Sequence, residues 1–359
     1  MRKVTVDASI KYDVWIGSGL LERAGAYVSE VFPRCKLCVV SDDTVYGLYG
    51  ETVIASLQDA GYDVCVFTFA AGERSKNLDT VSALLEFLAK EQLTRTDAIV
   101  ALGGGVTGDF AGFAAACYLR GIPFAQIPTT LLAAVDSSVG GKTGVNLTSG
   151  KNLAGAFWQP SLVLCDYSLF ESLEADILLD GIAEVIKYGV IADEELFKVM
   201  ASNDVASLFE NNLLEQVIEK CVTIKSNIVS EDERDTGKRQ LLNFGHTLGH
   251  AIERCSNYEI SHGHAVAIGM LYMSRAAAQA GLSPESCATD IEAVLKKYHF
   301  ARSCNYSADQ LYEAALIDKK RTGNSITLIL PDRIGCCRLE KVELSLFREL
   351  VENGVRYEC

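Results

Sequence analysis

Positive charge is in short supply in this sequence. Lysine and arginine number 33 against 47 aspartates and glutamates, which leaves a formal net charge of −14 over 359 residues. A nucleic-acid binder needs surplus cations to neutralise phosphates, so this balance excludes that class. It also makes any local basic cluster more informative, because the background field repels anions. Long apolar runs are missing as well. The stretches around Phe110–Leu119 and Ile122–Val135 are broken by Gly, Arg or Pro and are too short to span a bilayer. No apolar segment follows the basic pair Arg2-Lys3, so we expect no signal peptide, no membrane partner and a cytoplasmic location. The one CxxC, Cys35-Lys36-Leu37-Cys38, has no second pair to build a zinc ribbon with. The twelve cysteines therefore read as scattered thiols in a reducing compartment.

What is present is enough apolar material, 49% of the chain, for two cores. The first half alternates strand and helix signals. Lys3–Asp7 and Tyr12–Ile16 read as a hairpin. Strands at Lys36–Ser41, Asp63–Phe69 and Asp97–Leu102 alternate with helical spacing at Leu20–Val31, Val45–Ala60 and Leu78–Lys90. That order predicts a Rossmann-like, doubly wound and mostly parallel sheet in an α/β domain over residues 1–169. Beyond it the period changes to 3.6, as in Leu213–Val229, Leu248–Arg254, Ala265–Ala280 and Ile291–Lys297. Strand signals nearly vanish until Ser325–Leu330, so residues 170–359 read as an all-α domain. In such a plan ligands are expected between the domains, at the carboxyl ends of the strands.

Three motifs carry chemistry. The strand Asp97–Leu102 runs into Gly103-Gly104-Gly105-Val106-Thr107-Gly108-Asp109, a GxGxxG turn at which backbone N–H groups can approach a pyrophosphate. A bare turn needing positive φ explains the glycines equally well. The turn follows a late strand, and Asp42, which closes an earlier one, is placed to reach a ribose hydroxyl. Histidine is scarce, yet four of the five lie within Asn243–His264. His246 and His250 share a helix face and His262 follows a loop, a spacing that suits a divalent metal. Glu184, set among apolar residues on a helix with Lys187, is the carboxylate candidate, since burying it is costly unless it is paired or ligated. A surface Glu–Lys pair is the plainer alternative. Finally, Val135–Gly144 and Ser149–Asn152 are polar, glycine-flanked loops with lysines that suit an anion. Gly140-Gly141-Lys142-Thr143 lacks the upstream glycine of a nucleotide-triphosphatase loop.

Taken together, these segments resemble the 3-dehydroquinate synthases nearly end to end. The likeness rests on Ala101–Asp109, Pro128–Ala133, Val135–Thr143, Gly150-Lys151-Asn152, Ala183–Lys187 and Leu241–Ala251. It implies that Glu184, His246 and His262 bind zinc or cobalt. It implies an NAD site built from Asp42, Thr44, Glu73, Lys76, Gly104, Gly105, Asp109, Thr129, Thr130, Leu132 and Ser172. It places Asp136, Lys142, Lys151, Asn152, Lys187, Lys225, Arg239, Asn243, His250 and Lys320 around a phosphorylated sugar acid. Arg120 would reach a neighbouring subunit's site, which makes a homodimer the expected assembly. The implied reaction turns 3-deoxy-D-arabino-heptulosonate 7-phosphate into 3-dehydroquinate and phosphate, with transient oxidation by NAD and no net redox change. A related sugar phosphate cyclase, or a metal-dependent polyol or glycerol-phosphate dehydrogenase, is the alternative. Three departures from the family pattern stand out, the mildest being Thr44 where Asn is common and Asp235 where Glu is common. His264 stands where Glu is usual, and the stretch Ser172–Ile177 lacks a Glu expected near the cofactor ribose.

Overall fold

A computed structural model of the chain describes residues 1–210, 213–317 and 321–356. They divide into two compact units, Met1–Glu174 with Ile218–Arg234, and Ala175–Val217 with Asp235–Cys359. Where a single boundary at 169/170 was expected, this division falls at 174/175 and groups Ile218–Arg234 with the first unit. Contacts distant in sequence hold it there. Lys225 Nζ donates to Asp136 Oδ1 at 2.6 Å, Arg2 pairs with Glu219, and Ser9 Oγ donates to Glu233 Oε1 at 2.6 Å. No shift in composition marks such a return.

In the first unit the elements are β1 (Arg2–Asp7), β2 (Lys11–Gly17), α1 (Ala24–Val31), β3 (Lys36–Asp42), α2 (Glu51–Asp59), β4 (Asp63–Phe69) and α3 (Leu78–Lys90). They continue with β5 (Ala98–Gly103), α4 (Gly105–Cys117), β6 (Phe124–Pro128), β7 (Lys142–Leu147), β8 (Gly150–Phe157) and β9 (Leu162–Asp166). Seven strands form one sheet in the order β1-β2-β9-β6-β5-β3-β4, parallel except for the β1–β2 hairpin. The central strands are apolar without alternation because helices cover both faces: Leu37–Val40 and Ile99–Val100 are fully buried. From β3 the chain steps outward to β4, whereas β5, β6 and β9 step the other way. The carboxyl ends of β3 and β5 therefore flank the point where strand order reverses, the usual crevice for a nucleotide in open α/β sheets. β7 and β8 form a separate antiparallel hairpin. Lys142 thus opens a strand, with no helix after its glycines, which removes the nucleotide-triphosphatase reading.

The second unit holds α5 (Ala175–Ala192), α6 (Glu194–Ser202), most of its remaining helices being α8 (His246–Cys255), α9 (His262–Gln279), α10 (Glu285–Lys297), α11 (Ala308–Ile317) and α12 (Leu344–Arg356); α7 (Leu213–Glu231) starts here and ends in the first unit. It is helical as expected but also carries a three-stranded antiparallel sheet, β10 (Arg321–Thr322), β11 (Ser325–Arg333) and β12 (Cys336–Glu343). The strand signal at Ser325–Leu330 is the start of β11. Its partner β12, Cys-Cys-Arg-Leu-Glu-Lys-Val-Glu, is only partly buried and takes its order from pairing, not from an apolar pattern. Buried side chains of α8, α9, α11 and α12 pack with β11 in one cluster around Ile252, Ile268, Leu311, Leu330 and Phe347. Among the described residues, no helix is long and apolar enough to cross a membrane.

Candidate metal centre and nucleotide turn

Two close helix approaches assemble the metal set. A Cβ on Gly269 of α9 would lie 2.1 Å from the Gly245 carbonyl oxygen. Gly245, the residue before α8, has φ +77°, open to glycine at little cost. These two positions let α8 and α9 touch along their backbones, so His246 and His262, each the first residue of its helix, face one another. Their rings are 5.1 Å apart. Glu184, fully buried on α5, is the third member: its Oε1 lies 3.5 Å from His246 Nε2 and 3.4 Å from His262 Nε2. The other ring nitrogens are already engaged. His246 Nδ1 contacts the Phe244 carbonyl at 3.0 Å, and His262 Nδ1 contacts Glu253 Oε2 at 3.1 Å. Both partners can only accept, so each Nδ1 carries a hydrogen, and each Nε2 faces Glu184, where it can ligate a cation once it carries no proton of its own.

This arrangement fits a divalent cation. Nitrogen and oxygen donors on one tetrahedral zinc, at ~2.0–2.1 Å bond lengths, lie about 3.3–3.4 Å from one another. The separations of Glu184 Oε1 from the two Nε2 atoms match that spacing. Without a cation the carboxylate leans on Lys187, itself buried and one turn along α5. His262 then holds a proton firmly. Burial works against its charged form, but hydrogen bonds to Glu184 and Glu253 outweigh that and push its pKa up to about 10. A cation must displace that proton, so uptake should weaken as pH falls.

Sequence reasoning had missed Glu253. It is 2% exposed and lies one turn beyond His250 on the α8 face that carries His246, a spacing that was legible once α8 is a helix. Its carboxylate orients the His262 ring and raises its basicity. Glu253→Gln keeps an acceptor but removes the charge, and we expect zinc affinity to fall about tenfold to a hundredfold with little change in fold. A chelator-competition titration checks this, and unchanged affinity would discard the role. His250 is close to the set, its ring 5.9 Å from that of His262, and with Glu253 and His262 it forms a second group of possible ligands. His264 belongs to neither group. Its ring meets the edge of Phe300 at 5.2 Å and its buried Nε2 has no partner.

In the first unit, most residues expected at the cofactor collect at the carboxyl ends of the parallel strands. Gly104 precedes α4, and none of Gly103, Gly104, Gly105 and Gly108 has φ in the left-handed region. The bare-turn explanation therefore falls away, and packing replaces it. A Cβ at Gly103 would strike Thr107 at 2.3 Å, and one at Gly108 would strike Gln126 at 2.4 Å. The first turn of α4 holds no acidic residue, so its free N–H groups and dipole remain available to an anion. Beside it the buried hydroxyls of Thr107 and Thr129 lack hydrogen-bond partners, which suits a polar ligand at this edge. Thr130 Oγ1 accepts from Ala133 N at 3.2 Å, and Leu132 is half-buried in the same turn. Lys76, after β4, donates to Asp109 Oδ2 at 2.5 Å, and burial raises the Asp109 carboxyl despite that contact. Glu73 accepts from Asn146 Nδ2 at 2.8 Å, with Lys151 Nζ at 3.8 Å. Asp42 spends one oxygen on capping the next turn, accepting from Val45 N at 2.9 Å; Thr44 is exposed in that turn, and Ser172 pairs with Tyr49 at 2.6 Å.

The residues expected around the substrate fall into both units. Asp136 and Lys225 pair in the first unit, which also carries exposed Lys142 and Asn152, the latter held at φ +52° with its N donating to Asn146 Oδ1. Arg120 follows Leu119 in a turn where both have left-handed φ, and it is exposed. Lys187, His250, Asn243 and the fully buried Arg239 lie in the second unit. Lys320 lies outside the described residues. Of the CxxC pair, Cys38 is buried in β3 and Cys35 is pushed up to about 11 by burial and by Asp97, so neither is a reactive thiol.

A Rossmann-like unit with a bare helix N-terminus, together with a helical unit that carries a Glu-His-His donor set, defines a metal-dependent, nucleotide-using enzyme class. Within it, the chain matches 3-dehydroquinate synthase N-terminal over residues 66–180 and 3-dehydroquinate synthase C-terminal over residues 181–321. It is 45% identical to the 3-dehydroquinate synthase of Streptococcus pneumoniae (strain ATCC 700669 / Spain 23F-1), over 94% of this chain and 96% of the relative. Among solved structures, 2-deoxy-scyllo-inosose synthase complexed with carbaglucose-6-phosphate, NAD+ and Co2+ is similar with a TM-score of 0.87 at 29% identity, covering 98% of this chain and 99% of that one. A 2-epi-5-epi-valiolone synthase from Streptomyces hygroscopicus with NAD+ and Zn2+ bound gives 0.88 at 27% identity, covering 99% and 100%. This chain belongs to the 3-dehydroquinate synthase family.

Proposed function

We propose that the chain converts 3-deoxy-D-arabino-heptulosonate 7-phosphate to 3-dehydroquinate and phosphate, a carbon–oxygen lyase reaction, using NAD and a divalent metal. The observation that carries this reading is the Glu184–His246–His262 set, with both Nδ1 atoms tied back so that both Nε2 atoms converge on one carboxylate oxygen. NAD at the start of α4 would supply a reversible hydride acceptor, and a divalent cation held by Glu184, His246 and His262 would supply a Lewis acid for an oxygen of the substrate. The chain's own residues bind and orient. The amides at the start of α4 and the hydroxyls of Thr107 and Thr129 take the polar part of the cofactor. In the first unit Lys142, Lys151 and Lys225 are the cations suited to a substrate that carries both a phosphate and a carboxylate. Asp136 holds the Lys225 ammonium through two 2.6 Å bonds, to its carboxylate and to its backbone carbonyl, and so fixes one of those cations in place.

The assembly proposed is a cytoplasmic homodimer, on the strength of the family resemblance and of Arg120, which is exposed. Phosphate release from the heptulosonate phosphate, followed together with absorbance of reduced nicotinamide, tests the reaction. The expected result is stoichiometric phosphate with no accumulating NADH, abolished by a chelator and restored by zinc or cobalt. Steady NADH accumulation would favour a polyol or glycerol-phosphate dehydrogenase instead.

A further inference from the structure

One carboxylate outside the ligand set binds the start of α9 on both sides of His262. Asp180 lies one turn before Glu184 on α5, on the same helix face. Its Oδ1 accepts three hydrogen bonds from the start of α9, from Ser261 Oγ at 2.7 Å, Gly263 N at 2.8 Å and His264 N at 3.2 Å. The donors bracket His262 on both sides in sequence. The backbones are close enough that a Cβ on Gly263 would lie 2.3 Å from the Asp180 Cα, so the contact admits no larger residue there. The first N–H groups of a helix have no partner within it, and a carboxylate at that end also complements the dipole.

We propose that Asp180 is a positioning residue for the metal centre. It locks the first turn of α9 onto α5 and thereby sets the distance between His262 Nε2 and Glu184 Oε1. This inference rests on the metal-binding reading of Glu184, His246 and His262. Two of the three ligands sit on the two elements that Asp180 joins. Glu253 fixes how the His262 ring is turned, and Asp180 fixes where its backbone begins.

The test uses the full chain stripped of metal and titrated with Co2+, whose visible spectrum reports coordination geometry. Asp180→Ala should lower Co2+ affinity about tenfold and change the spectrum of the loaded protein, as removal of an orienting partner does. Asp180→Asn, whose amide oxygen still accepts, should stay within about threefold of the parent chain and keep its spectrum. Parent-like affinity and spectrum in Asp180→Ala would overturn the proposal, as would an equal loss in both variants. Should Asp180→Ala fail to fold, Ser261→Ala removes one donor and leaves the backbone bonds. A changed Co2+ spectrum then supports the proposal and an unchanged one overturns it. A parent chain that takes up no Co2+ fails the metal reading itself, a different result from a parent that binds and a variant that binds equally well.

Discussion

His262→Ala should abolish stable metal uptake and cut phosphate release by about a thousandfold or more. The substitution removes one of three converging donors, and metal polarisation of the reacting oxygen is worth several kcal/mol, about three powers of ten in rate. It also strands two carboxylates, because Glu184 Oε1 and Glu253 Oε2 both face the ring that is lost. His264→Gln is the matched control. Its ring packs on Phe300 and belongs to neither group of possible ligands, so metal uptake should be retained. Metal content by atomic absorption after gel filtration, with turnover on the same samples, separates the two. Loss of metal in the His264 variant with retention in the His262 variant would mean that the ligand is the wrong histidine.

The second large effect concerns the first unit. Lys76→Ala should destabilise it by roughly 3 kcal/mol, the lower end of the range for breaking a buried ion pair. The lower end applies because the Lys76 side chain is 7% exposed and that of Asp109 18%, so water retains some access to the acid. Burial already raises the Asp109 carboxyl with the ammonium in contact, and without it the charged acid is costlier still. Both tryptophans, Trp15 and Trp158, lie in this unit, so fluorescence during urea unfolding reports on it alone. Adding Asp109→Asn to Lys76→Ala should recover part of the loss, since no charge is then left unpaired. A Lys76→Ala chain as stable as its parent would show that the pair is solvated and has little structural weight.

The cluster of histidines was legible because histidine is rare here and four lie within a short span. Glu184 was legible as a carboxylate misplaced in an apolar helix, though a surface pair with Lys187 was the plainer explanation until the burial of both was seen. Local pattern carries that far. Glu253 and Asp180 act only through α9, which each meets from another helix, and their roles depend on the backbone approach that the glycines permit. The GxGxxG turn was legible as a place that needs glycine, but its glycines answer to Thr107 in the same turn and Gln126 of β6 and not to a left-handed φ. The same limit explains the domain boundary. Nothing in Ile218–Arg234 announces that Asp136 waits for Lys225, since that pairing spans 89 positions. β12 was missed because a strand of alternating charge and small apolar residues is ordered by its partner.

Cobalt titration of the metal-free chain and of Glu184→Gln, His246→Ala and His262→Ala tests the central claim most directly. The parent should bind one Co2+ per chain, more tightly at pH 8 than at pH 6 because the cation displaces the His262 proton, and each of the three variants should lose that site. Undiminished binding in any one of them, or phosphate release that continues unchanged in the metal-free parent, would contradict the account.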